Sequence, residues 1–105
     1  MSAFEQVSPS QIGAITTAPR SYIEYDEIVV STVPLLGTGE TVTVQVVGSG
    51  PPANLLDPTT GLVYTVSPGN QAVRIPGGYS LSFTKSATAA PTYIEVHTKP
   101  RAAVS

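Results

Sequence analysis

The chain has 105 residues, 41% of them hydrophobic and only 11% charged, with a net charge of −2 and no cysteine. That length supports one modest core, and the charged fraction is less than half of the ~25% typical of soluble proteins, so Ser, Thr, Gln, Gly and Pro cover the surface. Five basic residues cannot form the stripe a nucleic-acid binder needs, disulfides and thiolate metal sites are excluded, and no apolar run approaches the ~20 residues of a membrane helix.

Residues 1–20 read as an extended N-terminal arm. SPSQIGAITTAPR is rich in hydroxyls, and Pro9 and Pro19 disfavour helix in the residue before each. Ile12 and Ile15 are its candidate anchors on a partner. The start, MSAFEQVSPSQ, lacks a basic segment followed by an apolar one, so no secretion signal is expected.

From Ser21 the period is two. SYIEYDEIVV sets Ile23, Tyr25 and Val29 against Tyr22, Glu24, Asp26 and Ile28. After the glycines of GTGE, residues 40–48 form the cleanest predicted strand, with Val42, Val44 and Val46 on one face and Thr41, Thr43 and Gln45 on the other; β-branched side chains suit a pleated surface. GSGPPA breaks it. A short strand follows at 54–57, then a DPTTG turn and a strand at 62–66. SPGN turns into a strand at 71–75. PGG leads into YSLSFTK, where Tyr79, Leu81 and Phe83 are expected in the core and alternate with Ser80, Ser82 and Thr84. The last strand, 92–98, alternates Ile94 and Val96 with Tyr93, Glu95 and His97. No stretch has the periodicity of an amphipathic helix.

Six to eight strands at this spacing, separated by Gly/Pro turns, predict an all-β chain: an antiparallel β-sandwich of jelly-roll or Greek-key type over 21–100, with a short tail at 101–105. The turns at 57–61, 67–70 and 76–78 predict antiparallel neighbours.

Chemistry has few places to live. His97 is the sole histidine, and pairing it with Ser80 or Ser82 would still lack a pocket and an oxyanion hole. Glu24 and Asp26 share a strand face but have no Asp/Gly-rich calcium loop. GTGE and GSG lack the following helix of a phosphate cradle. No enzyme, metal or cofactor is expected. Five tyrosines and no tryptophan leave an aromatic platform for carbohydrate as an alternative, with Tyr22 and Tyr93 as its candidates.

GTGETVTVQV, then DPTTGLVYTV, then NQAVRIPGGYSLSFTKSATAA and an apolar last strand resemble small virion structural proteins of tailed bacteriophages, some of which are capsid decoration (cement) proteins. The resemblance spans Leu36 to Val96. It implies a β-sandwich made in the host cytoplasm and placed on the capsid surface. There it would bind the major capsid protein and copies of itself, and stabilise the shell. It fixes no individual functional residues. From the residues themselves, the candidate interface is Ile12, Ile15, Tyr22, Ser80, Ser82, Thr84 and Tyr93. The alternative is a β-sandwich module that binds carbohydrate or a host surface.

Overall fold

The computed structural model describes residues 3–100. The tail expected at 101–105 lies outside them. The strands are β1 (Ala3–Gln6), β2 (Ile15–Thr16), β3 (Arg20–Ser21), β4 (Tyr25–Val33), β5 (Val42–Val46), β6 (Ala53–Asn54), β7 (Thr65–Val66), β8 (Ala72–Pro76), β9 (Ser80–Lys85) and β10 (Tyr93–Pro100). There is no helix among the described residues.

Two antiparallel sheets face each other. Sheet 1 has the order β1-β10-β4-β8. In sheet 2, β9 and β5 form the centre. The remaining edge of β9 is shared by β2 and β3, and that of β5 by β6 and β7. Counting each interrupted edge as one strand leaves eight. They pair first with last (β1 with β10), second with seventh (β2/β3 with β9), third with sixth (β4 with β8) and fourth with fifth (β5 with β6/β7). This nested pairing is that of a jelly roll.

The alternating valines and isoleucines make the core. Ile28 and Val30 of β4, Val73 and Ile75 of β8, and Ile94 and Val96 of β10 meet Val42 and Val44 of β5 and Leu81 and Phe83 of β9, all 5% exposed or less. Burial of each such side chain contributes about 1.5–3 kcal/mol.

Three expectations change. First, the arm expected at 1–20 is, over its described residues 3–20, part of the sandwich. Those residues supply β1 to sheet 1, and β2 and the start of β3 to sheet 2. Between β1 and β2 the Val7 N–H donates to the Ile94 carbonyl (2.9 Å), and the buried Ser8 hydroxyl accepts the Ile94 N–H (2.9 Å). Where β2 gives way to β3, Thr17 continues the edge: its N–H donates to the Phe83 carbonyl, and its Oγ1 accepts the Phe83 N–H.

Second, strict alternation does not hold from Ser21. Residues 22–25 turn, with the Tyr25 N–H on the Tyr22 carbonyl (3.2 Å), and the strand begins at Tyr25. Tyr22 is therefore fully buried against Phe83, and Ile23 is exposed. Third, the turns at 67–70 and 76–78 join strands of different sheets, because consecutive strands of a jelly roll cross between layers. In the second of these turns, the Gly77 N–H donates to the Asp26 carbonyl, and a Cβ on Gly77 would lie 1.6 Å from the Tyr25 carbonyl oxygen. Only glycine permits that approach.

Candidate interaction face

The outward face of sheet 2 carries no charge on its paired strands. One row of threonines crosses the whole sheet: Thr16 lies opposite Thr84, Thr84 opposite Thr43, and Thr43 opposite Thr65. The next row is Ser82, Gln45 and Asn54, and beyond it Ser21 lies opposite Ser80. Inward valines and leucines hold these residues outward, because successive strand side chains alternate faces.

The polar groups are already linked. Thr16 Oγ1 and Thr84 Oγ1 are 3.2 Å apart, Thr84 Oγ1 donates to Gln45 Oε1 (3.3 Å), and Gln45 Nε2 donates to Asn54 Oδ1 (3.4 Å). Ser82 lies within this array. It is 2% exposed, and its hydroxyl has no hydrogen-bond partner.

Sheet 1 is the opposite. Its outward face holds Glu27, Arg74, Glu95, His97 and Lys99, with Glu95 and His97 paired at 2.8 Å. The two outer faces of one small sandwich thus differ sharply in charge. Covering the sheet-2 face with another protein removes hydroxyls and amides from water but no ions. Such groups exchange water for new hydrogen bonds at far lower cost than charges.

Of the candidate interface residues, Ser80, Ser82 and Thr84 fall on the uncharged face. The others do not join them. Ile12 is exposed in the 7–14 connection, Ile15 is half-buried opposite the buried Lys85, and Tyr93 is half-buried on sheet 1. Tyr22 has no surface to present, because the turn before β4 swings it into the core. The threonine row escaped the sequence reading because its members come from four strands far apart in the chain. Thr43 was visible as part of an outward face.

His97 and the two serines lie on different sheets, so no catalytic pairing forms between them. Among the described residues, no three His, Cys, Asp or Glu side chains converge as metal ligands. Tyr22 is buried with the half-buried Tyr25 beside it (ring centroids 6.2 Å), Tyr64 and Tyr93 are half-buried, and Tyr79, expected inward with Leu81 and Phe83, is exposed because it lies in the bend before β9.

At the end of the sandwich near residues 37–40, the glycines of GTGE form a turn closed by its own acid. Glu40 Oε1 accepts the Gly37 N–H (2.6 Å), and Oε2 accepts the Ala89 N–H from the neighbouring loop (2.7 Å). These two bonds, with help from the Lys85 ammonium, hold the Glu40 carboxyl below the usual carboxylate range. A lowered folded pKa means stability that is fully present above the unfolded value, about 4.3, and lost as pH falls through the folded one. Glu40→Gln is expected to lower Tm most at pH 7, where the ionised carboxylate contributes fully, and least in acid, so that the decline of Tm with falling pH is flatter than for the unaltered chain, as read by thermal unfolding from pH 7 to 3.

No protein-family model and no curated protein sequence matches the chain. Among solved structures, the SPBc2 prophage-derived protein YomS is similar: TM-score 0.68 and 10% identity, over 93% of this chain and 92% of that one. At this identity the likeness establishes a shared fold across nearly the whole length of both chains, and that fold is one carried by a prophage-derived protein.

Proposed function

We propose that the protein is a non-enzymatic bacteriophage structural protein that docks on the assembled capsid through the outer face of sheet 2 and reinforces the shell. The observation that carries this reading is the charge-free Thr/Ser/Gln/Asn face set back to back with a charged one. Interface centres are depleted in charge, whereas solvent-facing surfaces retain it. The fold likeness to a prophage-derived protein supports a phage origin. Of the two tyrosines offered as a carbohydrate platform, Tyr22 is fully buried and Tyr93 is half-buried on sheet 1.

Size constrains the mechanism. Four strands about 4.8 Å apart and some five residues long give a face of roughly 300–400 Å². That is less than half of the ~800 Å² each partner commits to a standard interface. Single contacts would be weak, and reinforcement would come from repetition over a lattice, since a partner that binds only the assembled shell stabilises it by mass action. Purified protein mixed with assembled heads is expected to co-sediment with them and raise their disruption temperature. Failure to bind either empty or mature heads would contradict the reading.

A further inference from the structure

β8 ends sheet 1, and its pairing with β4 fixes which of its backbone groups are spent. Antiparallel pairs alternate between those that exchange hydrogen bonds and those that do not. The Gly77 N–H bonds the Asp26 carbonyl, so the register makes Ile75–Ile28 and Val73–Val30 the bonded pairs. Ala72, Arg74 and Pro76 stand at the alternate positions. The N–H and C=O of Ala72 and Arg74 and the C=O of Pro76 therefore point away from the sheet, and proline falls where β4 needs no N–H.

This edge opens onto a cleft of about 680 Å³ between the two sheets. Ala72, Val73 and Arg74 form one wall, and the chain through Leu62, Val63 and Tyr64 forms the other. Arg74 is 79% exposed, and its only ion pair among the described residues, with Glu27, is long at 3.8 Å. The carboxylate of the cleft, Asp57, accepts the Thr59 N–H of its own turn.

We propose that the free edge of β8 accepts an extended segment of a partner protein as an added strand, with an acidic residue opposite Arg74 and small apolar side chains turned into the cleft. The backbone supplies alternating donors and acceptors, as strand addition requires. A second copy of the chain fits poorly. A two-fold pairing centred on Arg74 sets guanidinium against guanidinium and places Ala72 opposite Pro76, which has no N–H to give. The inference rests on the strand edge and is independent of capsid docking through sheet 2.

The test is an amide-shift titration of the isotope-labelled full chain with two probe peptides, acetyl-VTVDVTV-amide and acetyl-VTVKVTV-amide, in which the valines lie on the face opposite the central Asp or Lys. Shifts are expected at residues 62–67 and 72–74, with the Asp peptide bound at least ~10-fold more tightly, a preference that Arg74→Glu reverses. Ala72→Pro, which removes an outward N–H and no bond to β4, is expected to weaken binding at least ~10-fold while leaving Tm within a few degrees. Absence of shifts at about 5 mM peptide, shifts elsewhere, or equal affinity for both peptides would overturn the proposal. So would concentration-dependent dimerisation that involves Ala72 and Arg74.

Discussion

A chain lacking residues 1–20 is expected to lose cooperative folding, or to unfold more than ~20 °C below the full chain in thermal or urea denaturation. The segment contributes edge strands to both sheets. Its loss strips the outer edge of β10 and most of the outer edge of β9, including the paired Thr17–Phe83 bonds. It also removes the Ser8 hydroxyl from the buried Ile94 N–H, and each buried donor left without a partner costs about 1–3 kcal/mol. The Arg20–Glu5 ion pair, which ties β3 of sheet 2 to β1 of sheet 1, goes with it, as does the Arg20 guanidinium lying over the Tyr22 ring at 5.3 Å. A domain of this size has only 5–15 kcal/mol in all. Several kcal/mol is a large share of it, and each one moves Tm by about 4–8 °C. A truncated chain that melted within a few degrees of the full one would show the segment to be dispensable.

Lys85→Glu is expected to be nearly as severe, at 3–5 kcal/mol or more. Lys85 continues the inward series of Leu81 and Phe83 and is fully buried. Its ammonium donates to the carbonyls of Gly13 (2.8 Å) and Ser86 (3.0 Å) and to Thr88 Oγ1 (3.4 Å), joining the N-terminal segment to the loop after β9. A carboxylate there would face those carbonyl oxygens, with Glu40 as a like-charged neighbour. Lys85→Met keeps the stem and is expected to cost only about 1–3 kcal/mol, the share of the lost hydrogen bonds. Burial pushes the Lys85 ammonium below the usual lysine range, with Glu40 opposing. Its desolvation thus counts against the fold at neutral pH, and that penalty eases as pH rises from the folded pKa towards the unfolded one. Equal urea midpoints for Lys85→Glu and Lys85→Met would refute the packing account.

Much of this architecture was legible in the sequence where alternation was strict and apolar. Val42 and Val44, Val73 and Ile75, Leu81 and Phe83, and Ile94 and Val96 are all inward, and the strands that carry them lie close to their predicted spans. The N-terminal pairing was not legible. β2 and β3 are two residues each, too short for a period to register, and Thr17 between them pairs through a side chain. Tyr22 misled because it sits in a turn whose local geometry, and not a two-residue period, sets its direction. Lys85 could have been found: position 85 shares the phase of 81 and 83, but a charge reads as surface unless the acceptors that satisfy it are known. Ser80, Ser82 and Thr84 were visible as one outward face. That the face extends uncharged over all of sheet 2 depends on long-range register, which one chain read locally does not supply.

The central claim is that the uncharged face of sheet 2 is the surface that meets the capsid. Its most direct test is co-sedimentation of assembled heads with the full chain and two substitutions, Thr84→Lys on sheet 2 and Val29→Lys on sheet 1. Burying an unpaired ammonium in the interface is expected to cost several kcal/mol, so Thr84→Lys should weaken binding by ~100-fold or more, while Val29→Lys binds as the unaltered chain does. Both variants should retain their melting temperatures to within a few degrees. Unimpaired binding by Thr84→Lys, or loss of binding confined to Val29→Lys, would contradict the account.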